Sequence, residues 1–183
     1  MATGDTIAGR ILSGVRSFLL ESRLPNITVT FCGHSTISDD GVRVALIKAL
    51  MDIVLPLSSS DKVTFLCGGY GEFDVLCSKI IDKIRLQEEG PKIEKVFVTP
   101  YITESYKDRI EILRPYYDDV VFPPIEDVPI KFAIPRRNEW MVEQADIVIA
   151  YVTHGFGGAV TTLRKAYRKK KKIIRLISDY DVM

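Results

Sequence analysis

The chain has little of what builds a metal centre, a disulfide framework or a membrane anchor. Its three cysteines, Cys32, Cys67 and Cys77, are odd in number, none belongs to a CxxC pair, and only two histidines, His34 and His154, accompany them. That set excludes a zinc constellation of normal ligand spacing. It favours buried thiols in a reducing compartment over a disulfide framework. No run of about 18 apolar residues occurs, so no membrane-spanning helix is expected, and the N-terminus lacks a signal-peptide pattern. Net charge is only +1, which gives no global attraction for nucleic acid or an anionic membrane. Neither is therefore expected as a partner, no metal or cofactor is expected, and a cytoplasmic location is. The basic run from Arg168 to Lys172 is the local exception. Cations at the end of a helix complement its dipole, so a solvated helix end accounts for it.

What the sequence does have is two glycine-rich loops, each following an apolar run. The first is Cys67-Gly68-Gly69-Tyr70-Gly71-Glu72 after Val63-Thr64-Phe65-Leu66, and the second is Thr153-His154-Gly155-Phe156-Gly157-Gly158 after Ile147-Val148-Ile149-Ala150. A strand that breaks into glycines and opens a helix is a phosphate-cradle pattern. Glycine permits close backbone approach, and the helix start presents free N–H donors to an anion. Two such loops in one small chain predict a nucleotide-like ligand.

Apolar residues at helical spacing, from Ile7 to Leu19, predict an amphipathic helix over residues 6–21, closed by Pro25. Strands follow at 27–32, 63–67, 93–98, 119–122, 146–152 and 173–177. Helices alternate with them: one capped by Ser38, Asp39 or Asp40, one over 73–87, one stopping near Pro115, one starting at Pro135 and one ending near Lys170. Residues 123–134 read as a surface loop. Continuous apolar strands alternating with helices imply an α/β fold, with a mostly parallel sheet covered by helices on both faces. One domain is expected. Ligands in such sheets sit at the carboxyl ends of the strands. That groups Gly33-His34, Gly68 to Glu72, Tyr101 and His154 to Gly158 along one rim.

The ordered motifs Phe31-Cys32-Gly33-His34-Ser35, Cys67-Gly68-Gly69-Tyr70-Gly71, Pro135-Arg136-Arg137-Asn138-Glu139-Trp140-Met141, Ala145 to Ala150 and Gly157-Gly158-Ala159 resemble the SLOG superfamily. That group includes the Lonely-guy phosphoribohydrolases, the lysine decarboxylase-like proteins and the DNA-processing protein A family. The resemblance covers about residues 27–178. It implies a single Rossmann-like domain over residues 26–183, frequent homodimers, and a nucleotide or nucleotide-derived ligand. Residues 1–25 would then pack on the domain or on a dimer partner. In the phosphoribohydrolases an Arg-Lys motif supplies an active-site arginine; Arg137 matches it, with Asn138 where lysine would stand. Their second glycine motif ends in a glutamate that helps cleave the N-glycosidic bond. Here Leu163 and Arg164 occupy that place.

The residues therefore support a ligand-binding sensor first, and an N-glycosidase or ribosyl-transfer enzyme as the alternative. In the enzyme reading Glu72 replaces the missing acid and Arg137 assists. A carboxylate beside a sugar stabilises an oxocarbenium-like centre; the competing account of Glu72 is a first-turn acid favoured by the helix dipole. Arg136 and Arg137 suit a phosphate, or pairing with Glu139. Gly33, His34, Gly68, Gly69, Tyr70, Gly71, Glu72, Tyr101, Arg136, Arg137, Asn138, His154, Gly157, Gly158 and Thr161 are the ligand-binding candidates. Thr161 competes with local backbone bonding.

Overall fold

The protein is described from a computed structural model over residues 26–38, 41–87 and 89–177. The helix expected over residues 6–21 lies outside the described residues, as do the capping candidates Asp39 and Asp40. Six strands form one sheet: β1 (Asn26–Gly33), β2 (Lys62–Cys67), β3 (Lys92–Val98), β4 (Asp119–Val121), β5 (Ile147–Tyr151) and β6 (Lys172–Arg175). Five helices connect them: α1 (Val42–Val54), α2 (Gly71–Ile84), α3 (Glu104–Leu113), α4 (Ile130–Gln144) and α5 (Gly158–Arg168). The sheet order is β4-β3-β2-β1-β5-β6 and every pairing is parallel. This is the Rossmann-like single domain that the sequence pattern and the resemblance led us to expect.

The inner strands are apolar on both sides because both faces are covered. Side chains alternate across a strand, so β1 feeds two cores. Val29 and Phe31 pack with Leu46, Leu50, Phe73 and Ile81 of α1 and α2. Cys32 packs on the other face with Val142, Val160 and Leu163 of α4 and α5. The chain steps outward from β1 to β4, then returns across the sheet to β5. Right-handed crossovers place the outbound and returning helices on opposite faces. The strand order thus reverses between β1 and β5, the kind of switch point at which open α/β sheets take ligands at the carboxyl ends of their strands. All three cysteines are buried and free. Burial pushes the Cys32 thiol up to about 12, which leaves it inert.

One helix departs from expectation. α4 begins at Ile130, so Pro135 lies inside it and residues 130–134 are helical. Ala133 is buried, which anchors the extra turn, and Pro135 is exposed, so its ring faces solvent. Proline removes one backbone bond there, and tertiary packing outweighs that loss. Arg136 and Arg137 consequently stand well inside the helix. A cation opposes the dipole at a helix start, and this position spares both arginines that cost.

A charged group is also buried. Lys95 of β3 is 0% exposed and its Nζ donates to Asp82 Oδ1 at 2.6 Å and Ser78 Oγ at 3.0 Å. It lies 4.7 Å from the Tyr117 ring centroid. Removing one partner of such a pair strands the other, whereas an apolar replacement of the buried member removes the desolvation cost as well. Because the Asp82 side chain is 48% exposed, solvent screens part of the effect. Asp82→Ala is expected to cost about 2 kcal/mol in urea denaturation, and Lys95→Met less. Equal losses in the two variants would contradict this account.

Candidate functional site

The switch point between β1 and β5 brings together residues far apart in sequence. His34 follows β1 and His154 follows β5. Their rings stack in parallel, with centroids 3.5 Å apart and planes 10° off. Phe156 meets the His154 ring at a tilt of 44°, with centroids 4.2 Å apart, and is 74% exposed. The His34 backbone N–H donates to Tyr151 O at 3.2 Å, and Thr153 Oγ1 lies 3.1 Å from His154 Nδ1. Desolvation, then the neighbouring His154, hold the His34 pKa below its ordinary value. A neutral imidazole stacks without charge repulsion.

The two glycine loops behave differently. At Gly33, Gly68, Gly69 and Gly71 the space a side chain would take is already filled by Phe73, by Arg137 with Asp74, by Phe97 and by Ser35, all within 3.0 Å of a notional Cβ. These glycines serve close packing inside the protein. At Gly157 and Gly158 nothing lies within 4 Å. Gly157 has φ 93° and precedes α5, so the turn itself requires it. Gly158 has neither a left-handed backbone nor a crowding neighbour to explain it. The second loop is therefore the open cradle at a helix start. Thr161 Oγ1 donates back to Gly157 O at 3.2 Å, and Thr162 Oγ1 to Gly158 O at 2.8 Å. Local backbone bonding thus occupies the Thr161 hydroxyl proton.

Arg137, with Asp74, closes the first loop at Gly68. The residue is 2% exposed, and its Nη1 donates to Gly68 O and to Val98 O, both at 2.8 Å. It joins the ends of β2 and β3 to α4. Burial lowers its pKa, opposed by Asp74 and the tyrosines around it; an arginine stays charged nonetheless. Asp74 is half-buried as a residue, but its carboxylate lies against Gly68 and accepts the Tyr70 N–H at 2.8 Å. Arg136, by contrast, is exposed and pairs with Glu139 at 2.7 Å. Asn138 is half-buried on the same helix.

Glu72 holds the loop that carries His34. Its Oε2 accepts the Ile37 N–H at 2.8 Å, and its own N–H donates to Ser35 O at 2.7 Å. Tyr151, wholly buried on β5, accepts the Ser38 N–H on its hydroxyl at 3.0 Å. Residues 34–38 are thus fixed from α2 on one side and from β5 on the other. The sequence reading missed Tyr106 and Arg109 of α3. Arg109 Nη2 donates to Gly69 O at 2.9 Å, its Cζ lies 4.6 Å from the Tyr70 ring centroid, and the Tyr70 and Tyr106 hydroxyls bond each other. No sequence motif marks them; only the fold brings α3 to Tyr70. Among the described residues, three buried polar atoms lack a hydrogen-bond partner: His34 Nε2, Arg109 Nε and Arg137 Nε. His34 follows β1, while Arg109 and Arg137 donate to the carbonyls of Gly69 and Gly68 after β2, so all three side chains lie along the carboxyl rim. Among the described residues no group of His, Cys, Asp and Glu is arranged to hold a metal ion, and no helix is long and apolar enough to cross a membrane.

No family model matches the sequence, and no curated protein matches it. Solved structures match by fold. DNA processing protein A from Streptococcus pneumoniae aligns with a TM-score of 0.56 at 16% identity, over 87% of this chain and 53% of that one. DNA processing protein A from Helicobacter pylori gives 0.54 at 14% identity, over 81% and 64%. A molybdenum cofactor binding protein from Rippkaea orientalis gives 0.46 at 14% identity, over 84% and 76%. The likeness is one of fold, and this chain spans 53% and 64% of the length of the two DNA processing proteins.

Burial raises the Asp74 carboxyl from 3.8 to about 6, against the opposing pull of the Tyr70 N–H and Arg137. Between about pH 4 and pH 6 the folded protein holds a proton that the unfolded chain has released. Stability from this group therefore falls as pH rises through that window, by at most about 3 kcal/mol, and is level above it. Asp74→Asn keeps the acceptor for Tyr70 and is expected to remove this slope from stability measured against pH. An unchanged slope in the variant would contradict the assignment.

Proposed function

We propose that this chain binds a nucleotide or nucleotide-derived ligand at the carboxyl edge of its sheet. A phosphate rests on the N–H groups that open α5, and the base lies against His34, His154 and Phe156. The observation that carries this reading is the open space over Gly157 and Gly158 beside a histidine stack whose His34 Nε2 has no partner. A helix start favours an anion through its free donors and its dipole, and stacked rings take any base on a π-face.

The Helicobacter pylori neighbour is described as binding single-stranded DNA. A strand is a run of nucleotides, so this likeness of fold supports admitting a strand as a source of the ligand, against the expectation drawn from net charge. The basic run does not extend the site. Lys165 and Lys169 pair with Glu139 and Glu143 of α4, and the 11 residues of α5 put its far end about 16 Å from Gly157. Binding without turnover is favoured because the Glu72 carboxylate is engaged with Ile37 and Leu163 belongs to the core. The proposal includes a homodimer; a monomer mass by light scattering of the full chain would remove it.

Gly158→Ala is the direct test. Alanine at this helix position is tolerated or gains up to about 1 kcal/mol, so the melting temperature should hold or rise. Calorimetry against AMP, ADP, ATP, ADP-ribose and hexathymidylate should find a ligand for the wild type whose affinity drops at least tenfold in the variant. Wild-type affinity in Gly158→Ala, or no binding across the panel, would overturn the reading. Chromatography of the same mixtures should detect no free base; release by the wild type that Glu72→Gln abolishes would put the enzyme reading in its place.

A further inference from the structure

We infer that the same sheet edge carries a second subsite, built on Tyr101 and Arg109, for the distal half of a ligand with two linked ring-and-phosphate units. The inference rests on the nucleotide reading of the first site and extends it. A cavity of about 260 Å³ opens between the loop after β3, the loop after β4 and the start of α4, lined by Pro100, Tyr101, Phe122, Ile125, Val128 and Ala133 among others. Drug-sized ligands occupy about 300 Å³ or more, so this space suits one planar ring system. Its walls are apolar and aromatic apart from Glu126, Thr103 and backbone. An ionised carboxylate only accepts hydrogen bonds, so Glu126 favours a ring that carries an N–H donor.

From the cavity wall, ring contacts lead through Tyr101 and Tyr106 to Arg109, a cation that has no counter-ion among the described residues. The Tyr101 ring meets Tyr106 edge-on at 5.3 Å, and Arg109 Cζ lies 5.6 Å from the Tyr106 centroid. Among the described residues Arg109 makes one hydrogen bond, to a carbonyl, and its buried Nε has none. Among the described residues neither Arg109 nor Arg137 has a carboxylate within ion-pair distance, as the ion pairs engage other cations. A guanidinium with an orphaned donor one ring beyond an aromatic slot has the chemistry of a nucleotide site: the ring enters the slot and the anion reaches past Tyr101 toward the arginine. β5 and β3 are separated by three strand spacings, about 14 Å, so an occupant of both places needs two nucleotide units. A free dinucleotide and two adjacent residues of a single strand share this chemistry.

Calorimetry with AMP, NAD and the dinucleotide d(pApA) tests it on the full chain. NAD or d(pApA) should bind at least tenfold more tightly than AMP. Tightening for NAD alone identifies a free dinucleotide as the ligand, and for d(pApA) alone a single strand. Arg109→Gln and Tyr101→Ala should each erase that gain while AMP affinity stays within twofold, with melting temperatures confirming that both variants fold. Equal wild-type affinity for all three probes overturns the second subsite and leaves the first reading standing. So does a loss of AMP binding as large as the loss of dinucleotide binding in either variant. No binding by AMP, NAD or d(pApA) overturns both.

Discussion

A buried guanidinium anchors the closed one of two glycine-rich loops. Arg137 reaches from α4 to the carbonyls of Gly68 and Val98, tying the returning half of the chain to the ends of β2 and β3. Hydrogen bonds from a charged donor are worth about 1.5–3 kcal/mol each, and leaving such a donor unmet is costly. The clamp therefore requires that Gly68 have no side chain, since a Cβ there would sit 2.7 Å from Arg137 Nη1. The first loop is glycine-rich because protein atoms fill it. The second loop is glycine-rich with nothing over it, and that asymmetry locates the candidate site between β1 and β5.

The rest of the rim is arranged around that switch point. Loop 34–38 is held by Glu72 on one side and by the Tyr151 hydroxyl on the other, which keeps His34 stacked on His154. Tyr151 also stacks with Phe73 at 5.4 Å, the ring that fills the space beside Gly33. Packing in the first core is thereby linked to the position of the histidine pair. Stack, cradle and loop come from the segments that follow β1 and β5, and the topology alone makes them one place.

The alternation of apolar strands and helices was legible in the sequence because continuous apolar runs report burial on both faces. So was the rim, since the carboxyl ends of parallel strands share one edge. The start of α4 was not, because proline punctuation was read locally while the burial of Ala133 decided the outcome. Arg137 was legible as important, but its burial was not. Its partners are the carbonyls of Gly68 and Val98, 69 and 39 residues away, and no pattern in a single segment encodes them. Spacing also could not separate the glycine loops, since a glycine needed for internal packing and one needed for an approaching ligand are the same letter. Tyr106 and Arg109 carry no motif and become visible only where α3 meets Tyr70.

The most direct measurement is a 15N-correlated NMR titration of the full chain with AMP. The account predicts that the backbone amides of Gly158, Ala159 and Val160 and the ring protons of His34 and His154 move together and saturate at one concentration, while those of Gly68, Gly69 and Gly71 stay fixed. Movement centred on the first glycine loop, with the start of α5 unchanged, would contradict it.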